Sequence, residues 1–378
     1  MSLKGKYSSL IFLVISLPSC SEKEKSEKDI FLTVSERKEF HIGEGGLVPE
    51  RFGSVFLDSS RRKGVIFNEI VNSLDSVFLS TDSAWVKDGE FLEAEGPYGV
   101  GTVFSFFVSE KHIIYLNSQE LFRQDIDTKL VTRKYMHEFG VFGDLDYPAI
   151  SVPGKPEFVA FNKQTNTAYI VYDYDNRISV LAYSPDGDSM GFVPIPLDSA
   201  NYFDLRFEVK TGGLTLLGND TPQLTIVDNQ LIVSYPSFSN VLVVDLESNR
   251  HQVYVFSSES YPDKRNPPEH FGGESVDVDS FELLQKWQEE VRYGTMTFVE
   301  DWDNFVRLVK GEGGKDSNYF LEVFDVDFQK VQEINLTELN PDLSLSYLNT
   351  KYGLMFRAEE QPDEDVMYYY YVNLTEAK

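Results

Sequence analysis

The sequence predicts an all-β protein, most simply a β-propeller with six blades. Three observations support this fold class. From residue 30 onward the chain consists of short runs rich in Val, Ile, Phe and Tyr that are broken by Gly, Pro, Asn and Asp, a pattern typical of many short strands. Helical periodicity is nearly absent, and one strand pattern recurs six times along the chain.

The recurring pattern is a short apolar strand that ends in a polar or charged residue at a turn. Its last residues lie 49, 56, 62, 75 and 47 positions apart, intervals that suit one four-stranded blade each, with insertions in the longer two. Seven blades remain open if residues 255–300 hold a degenerate copy. We predict a single propeller domain over residues 30–378. The six copies are 65–68, 114–117, 170–173, 232–235, 307–310 and 354–357.

One insertion interrupts the pattern, at residues 256–294. Within it Phe281, Leu284, Trp287 and Val291 recur at steps of three and four residues, and Gly294 can end a helix. The spacing predicts one inserted helix over 280–292 in an otherwise β-structured body.

The two ends of the domain carry strand patterns that could pair. Residues 31–34 or 39–42 could add a strand beside the C-terminal run 367–372. Because an open row of blades would leave unpaired sheet edges, we expect the termini to meet in one shared blade.

The first twenty residues have the features of a signal peptide. Lys4 and Lys6 precede an apolar run over 10–17 that is too short to cross a bilayer as a helix. The run ends in Leu-Pro-Ser-Cys at 17–20, which resembles the lipobox of bacterial lipoproteins, and this resemblance implies cleavage before Cys20 and a lipid on its thiol. Residues 21–29 contain no apolar side chain and are predicted to be a flexible tether.

Composition limits the partners. The 378 residues include 34 Lys and Arg against 61 Asp and Glu, a net charge of −27, and removal of 1–20 takes away two lysines and no acidic residue, which leaves −29. This acidity argues against nucleic acid and against anionic headgroups, so we expect membrane contact through the lipid alone. A single cysteine excludes a disulfide framework. By analogy with lipoprotein sorting rules, Ser21 favours the outer membrane of the cell envelope, on its periplasmic or its exposed leaflet.

One stretch resembles a known repeat. In 168–187 an apolar strand ends in Asp173, Asn176-Arg177-Ile178 follows, and the next strand closes on Gly187, which is similar to the NHL repeat of β-propellers. In length, lipobox and blade pattern the whole chain resembles an uncharacterised family of bacterial lipoproteins catalogued as domain of unknown function 4221. The resemblance implies a propeller and supplies no catalytic residues.

Metal binding is a weak alternative. Aspartates recur at i, i+2 in several turns, where two carboxylates could chelate Ca²⁺, although Asp in turns more often accepts backbone hydrogen bonds. Asp173, Asp175 and Asn176 form the best candidate for Ca²⁺. The five histidines show no metal-binding spacing, and no nucleophile and base pair stands out.

The repeat register predicts a ligand site. The turn after the second strand of each blade lies on the face where propellers usually bind ligands, so one residue of each copy should encircle the channel mouth. Two of these residues, Lys310 and Arg357, would place two cations at one rim, suited to a carboxylate, phosphate or sulfate. The six residues are Asn68, Asn117, Asp173, Tyr235, Lys310 and Arg357.

These features predict a monomeric, lipid-anchored extracytoplasmic propeller without catalytic activity, acting as a binding or scaffold module for an envelope protein, a peptide or a glycan on its channel face. The alternative is a propeller hydrolase, lyase or lactonase that works through a channel-bound metal. A third reading is a structural subunit of an envelope complex, for which an exposed apolar patch near 255–292 would be the sign.

Overall fold

The computed structural model describes twelve ranges of the chain. The signal peptide, Cys20 and the tether lie outside them, so those predictions stand as made. The ranges are 30–42, 55–68, 72–103, 105–117, 119–141, 158–174, 177–195, 207–211, 214–218, 221–266, 280–361 and 366–376.

Strands dominate these ranges, and most of them form antiparallel four-stranded meanders that follow one another along the chain. Sheet 1 consists of β3 (Val55–Leu57), β4 (Lys63–Asn68), β5 (Ser73–Leu79) and β6 (Ala84–Phe91). Sheet 2 consists of β7 (Ser105–Val108), β8 (His112–Leu116), β9 (Glu120–Asp125) and β10 (Val131–Tyr135). Sheet 3 consists of β11 (Val159–Asn162), β12 (Thr167–Tyr174), β13 (Arg177–Ser184) and β14 (Ser189–Val193).

A hairpin separates the first three meanders from the rest; its strands are β15 (Phe207–Thr211) and β16 (Leu214–Gly218). Sheet 4 consists of β17 (Gln223–Val227), β18 (Gln230–Ser234), β19 (Val241–Asp245) and β20 (His251–Tyr254). Sheet 5 consists of β21 (Arg292–Tyr293), β22 (Thr297–Val299), β23 (Asn304–Lys310), β24 (Tyr319–Phe324) and β25 (Lys330–Asn335). Sheet 6 begins with β26 (Leu343–Thr350), β27 (Gly353–Ala358) and β28 (Val366–Glu376).

The N-terminal strands complete sheet 6. Both β1 (Ile30–Val34) and β2 (Lys38–Ile42) pair antiparallel with β28, one after the other along the same strand. In addition, β2 pairs in parallel with β6, so sheets 1 and 6 are continuous. Residues 31–34 and 39–42 are predicted as alternative partners of the C-terminal strand, and both pair with it.

Six hydrophobic clusters join the sheets in order, because side chains alternate between the two faces of every strand. Each cluster combines buried residues of two neighbouring sheets, and the sixth cluster joins sheet 6 to sheet 1. The clusters include Leu74 and Tyr115 (sheets 1 and 2), Ile114 and Leu181 (2 and 3), Val171 and Leu231 (3 and 4), Ile232 and Phe324 (4 and 5), Leu321 and Phe356 (5 and 6), and Met355 and Val77 (6 and 1).

Within the ranges that the structure describes, helix is confined to connections. The inserted helix α1 (Ser280–Glu289) confirms the predicted element but ends three residues earlier than expected, because Arg292 enters β21 and pairs with β23. A second helix, α2 (Leu336–Leu339), precedes sheet 6 and is capped by Asn335. Two single 3-10 turns span Met136–Phe139 and Gly314–Asp316. No helix in the described ranges has the length and apolar character that a membrane crossing needs.

The six repeated copies are confirmed as the second strands of the six sheets, β4, β8, β12, β18, β23 and β27. The described part of 255–300 forms no further sheet, since β21 and β22 both pair with β23. The fold is thus all-β, as predicted, with a repeated four-stranded unit.

Candidate functional site

The two ends of the sheets carry very different connections. In a meander, successive connections alternate between the two ends, so those that follow first and third strands lie at one end, here called the turn face. No turn-face connection exceeds five residues. The other end, here called the loop face, carries the long connections, and the largest are 92–104, 136–158, 194–222 and 255–291.

Aspartates close the turn-face connections. The Asp125 carboxylate accepts hydrogen bonds from the backbone N–H groups of Asp127 and Thr128, at 3.1 and 2.7 Å, and Asp245 and Asp325 do the same in their own turns. Hydrogen bonds from the Thr128 backbone and hydroxyl lower the pKa of Asp125. These i, i+2 acidic pairs thus hold turns, as the favoured interpretation expected.

Sheets 1 and 3 contact each other near the turn face. Phe56 of sheet 1 and Phe161 of sheet 3 have ring centroids 6.5 Å apart, and Lys163 Nζ donates to the carbonyl of Leu57 at 3.4 Å. Sheets 1 and 3 therefore touch across the inner edge of sheet 2.

An ionic cluster links three turn-face connections. Asp301 of sheet 5 bonds both Arg61 of sheet 1 and Lys351 of sheet 6, each at 2.5 Å. The hydrogen bond from Lys351, helped by Arg61, lowers the pKa of Asp301. These contacts place the connections of the first, fifth and sixth sheets at the same end.

All six predicted channel-mouth residues lie at or beside the loop-face end of a second strand. Their environments differ. The Asn117 amide accepts from the N–H groups of Gln119 and Glu120, at 2.9 and 2.7 Å, and so closes its own turn. Asn68 is buried at the end of β4. Asp173 lies in β12, but its side chain, Asp175 and Asn176 lie outside the described residues, so the Ca²⁺ prediction there stays a prediction.

Tyr235 and Lys310 are brought together by the insertion. Strand β21 lies between them: the N–H of Tyr293 donates to the carbonyl of Pro236 at 3.0 Å, and Arg292 pairs with Lys310. The insertion therefore covers the second-strand ends of sheets 4 and 5.

Arg357 does not share this region with Lys310. Its neighbours Phe356 and Ala358 pack between sheets 5 and 6, so alternation turns Arg357 toward sheet 1. Lys310 lies on the same strand face as Val306 and Leu308, which pack toward sheet 6. Lys310 thus faces sheet 6 and Arg357 faces sheet 1, and the joint action of these two cations at one rim stays a prediction.

The cations that do accompany Lys310 come from the insertion. Lys310 Nζ donates to the Gln288 carbonyl at 2.5 Å, in the last turn of α1. Arg265 is buried, and its guanidinium lies 3.6 Å from the centroid of the Trp287 ring. Burial, followed by the charges of Arg265 and Arg292, lowers the pKa of Lys310, while Glu289 acts in the opposite direction. A positive cluster thus lies on the loop face of an acidic protein.

Sequence reasoning found Lys310 but missed Arg265 and Arg292. Arg292 fell within the predicted helix, and nothing local in the sequence indicates a two-residue strand there. Arg265 lies in a Pro-rich connection without periodicity, and only the fold brings it to Trp287.

The base of the insertion is fixed to sheet 5. Ser258 Oγ and Tyr261 Oη donate to the two carboxylate oxygens of Glu333, at 2.9 and 3.0 Å. Lys330 Nζ bonds Glu333 at 2.9 Å and Glu322 at 3.1 Å. The insertion that contributes Arg265 and Arg292 to the positive cluster is therefore held to sheet 5 by these hydrogen bonds.

Chelating geometry is lacking in the ranges that the structure covers: no group of three or more His, Cys, Asp or Glu side chains there is placed to hold a metal ion.

The model of one protein family, described as domain of unknown function (DUF4221), matches residues 31–335. The chain belongs to the DUF4221 family. The matched range includes sheets 1 to 5 and the insertion of this DUF4221 protein, and it ends with β25.

Solved structures agree with this membership. A DUF4221 protein from Bacteroides vulgatus has a TM-score of 0.68 at 12% identity, over 93% of this chain and 100% of that one. A Bacteroides fragilis protein described as exported has a TM-score of 0.52 at 9% identity, over 91% of this chain and 95% of that one. The Neurospora crassa Pan2 WD40 domain has a TM-score of 0.41 at 10% identity, over 84% of this chain and 88% of that one. At 12% and 9% identity, the property shared with the two Bacteroides proteins is the fold. Among curated proteins, no relative matches this DUF4221 chain.

Proposed function

We propose that this DUF4221 protein is an exported, lipid-anchored β-propeller that binds a partner protein of the cell envelope through its loop face. Six four-stranded units, six clusters that each join two neighbouring sheets, and the pairing of β1 and β2 with β28 support a closed ring of six blades. If β1 and β2 close the ring, residue 30 lies beside the C-terminal strand β28. The tether, residues 21–29, runs from residue 30 to the membrane.

Export and anchoring follow from the N-terminus. The lipobox-like run at 17–20 supplies Cys20 as the attachment point, and residues 21–29 separate it from the first strand. The Bacteroides fragilis protein of similar fold is described as an exported protein, which supports an extracytoplasmic location for this chain. The outer membrane is the proposed site, on the argument from Ser21.

The observation that carries the binding proposal is the unequal length of the connections on the two faces. Turn-face connections are short, and polar groups in them form hydrogen bonds within the same turn, as at Asp125 and Asp245. The loop face carries an anchored insertion with a helix, together with a hairpin at 207–218. Elaborated loops on a rigid scaffold are the usual place of recognition in such folds.

The length of the loop-face connections favours a protein partner over a small substrate, because long loops offer an extended contact surface. Peptides and glycans on the same face are the competing ligands, and the experiment below separates them.

The test uses charge reversal on each face. Glu312 and Glu359 are exposed on the loop face, and Asp127 and Glu247 are exposed on the turn face. Proteins captured from detergent-solubilised membranes of the producing cell are quantified for wild type, for Glu312→Arg with Glu359→Arg, and for Asp127→Arg with Glu247→Arg.

We expect one protein to be captured by wild type and by the turn-face variant, and to be lost with the loop-face variant. Equal capture by all three proteins would contradict the assignment of the face. Capture that is abolished by free glycan and leaves no enriched protein would indicate a glycan ligand instead.

A further inference from the structure

Two cations face each other on adjacent strands of sheet 5. Arg292 of β21 and Lys310 of β23 are direct cross-strand partners, and such partners project from the same face of a sheet. Like charges in this arrangement destabilise a sheet. Arg292 is exposed and Lys310 is half-buried, so both can be reached by solvent.

Neither side chain forms a direct ion pair with a carboxylate within the described ranges. Lys310 Nζ donates to the backbone carbonyl of Gln288, which positions the ammonium at the end of α1 without cancelling its charge. Acidic side chains outnumber basic ones 61 to 34 in this protein, so ion-pair partners are plentiful elsewhere on the surface. An unneutralised pair of cations is therefore a specific feature of this location.

Arg265 adds a third positive charge nearby. Its guanidinium is buried, stacks on Trp287 and donates to the Trp287 carbonyl, which fixes its position. The described carboxylate that acts on Lys310 is Glu289, and its Oε1 accepts from Gln285 Nε2 at 3.0 Å. Arg265 thus adds positive charge beside Lys310 and contributes to the lowered pKa of Lys310.

We propose that Arg292 and Lys310 bind a carboxylate of the partner protein, from an acidic side chain or from its chain terminus. The guanidinium of Arg292 offers paired N–H donors that match the two oxygens of a carboxylate, and Lys310 adds a point charge. A single negative charge is favoured over a doubly charged phosphate, because the mature body carries −29 and repels dianions more strongly. This inference rests on the proposed function and names the group that the loop face recognises.

The test follows the backbone amide signals of residues 292 and 310 by NMR at low salt, with four small probes. N-acetylglycine presents a carboxylate like that of a chain end, N-acetylglycinamide is its uncharged match, and inorganic phosphate and D-glucuronate represent the other sources of an anion. We expect saturable shifts with N-acetylglycine and none with the amide.

The variants sharpen the result. Arg292→Gln should weaken N-acetylglycine binding about tenfold or more, since it removes charge-assisted hydrogen bonds. Arg292→Lys should retain part of the affinity, and Arg250→Gln, an exposed change on the turn face, should leave it unaltered. Thermal unfolding of each variant verifies that the fold is intact.

Equal shifts with the acid and the amide, or an unchanged affinity in Arg292→Gln, would overturn the proposal. Saturation by phosphate or glucuronate without saturation by N-acetylglycine would overturn the choice of a protein carboxylate. If the titration fails while Glu312→Arg with Glu359→Arg still abolishes capture of the partner, the proposed function survives and this inference alone is wrong.

Discussion

Arg307 and Glu322 form a buried ion pair in sheet 5, with the Arg307 Nε donating to Glu322 Oε2 at 2.6 Å and both side chains almost fully inaccessible to solvent. Arg307 Nη1 also donates to the carbonyl of Ser239, in the connection after β18. The second carboxylate oxygen of Glu322 accepts from Lys330, which in turn holds Glu333 beneath the insertion. This pair therefore connects sheet 4, sheet 5 and the base of the insertion.

Replacing Glu322 with Gln should destabilise the protein by about 3 to 5 kcal/mol, because it leaves the Arg307 charge buried without its partner. The double change Arg307→Met with Glu322→Leu should cost less than the single change, since it removes both charges. Urea unfolding measures both values, and Glu312→Gln at an exposed position serves as the control. A loss below about 1 kcal/mol for the single variant would contradict a buried pair.

Acid should loosen the base of the insertion. Burial raises the pKa of Glu333, but hydrogen bonds from Ser260, Lys330 and Ser258 outweigh it, and the net pKa lies below the ordinary value of 4.5. A lowered folded pKa means that the stabilisation is complete above that ordinary value and disappears as the pH falls through the folded pKa. The difference in unfolding free energy between wild type and Glu333→Gln should therefore be present at pH 7 and shrink below pH 4. A difference that does not change with pH would count against this network.

Ring closure should depend on the N-terminal strands. Deleting residues 30–42 removes the strands that pair with β28, so cooperative unfolding should be lost, whereas deleting the tether 21–29 should leave the melting temperature unchanged. Phe40 is buried between sheets 6 and 1, and Phe40→Ala should cost about 3 to 5 kcal/mol. Calorimetry compares the variants. A cooperative transition of wild-type enthalpy after deletion of 30–42 would show that closure is not needed.

A glycine at the turn between β26 and β27 should resist substitution. Gly353 has φ +114°, and a Cβ there would lie 2.3 Å from Asn373 Oδ1 and 2.7 Å from the Val372 carbonyl. Gly353→Ala should therefore destabilise by more than about 1 kcal/mol. Gly191 has open space at its Cβ position and is the matched control, where Ala should be neutral or slightly stabilising. Chemical denaturation distinguishes the two, and similar losses at both positions would refute the argument.

Much of the fold is visible in the sequence because its signals are local. Each second strand is an apolar run that ends in a polar residue, so all six could be read directly, as at Lys310 and Arg357. The strand role of residues 31–34 and 39–42 was visible for the same reason. The hairpin at 207–218 lies outside the six-copy pattern, although Gly212-Gly213 between two short runs with apolar residues is a typical hairpin signal.

The site was harder to predict because it depends on contacts between distant residues. The repeat pattern predicts that Lys310 lies on the loop face. Its cross-strand partner Arg292 is not predictable in the same way, because the contact requires α1 to end at Glu289 and the following residues to pair with β23. The expected partner Arg357 lies on a strand whose alternation turns it toward sheet 1, a property of packing that spacing alone does not reveal.

The central claim is that the loop face, rather than the turn face, meets the partner protein. Site-specific photo-crosslinking in intact cells tests it most directly, with a photoreactive amino acid at Glu312 on the loop face and at Asp127 on the turn face, both exposed. The account predicts one discrete crosslinked species from position 312 and none from position 127. A crosslink from position 127 alone, or the same species from both positions, would contradict it.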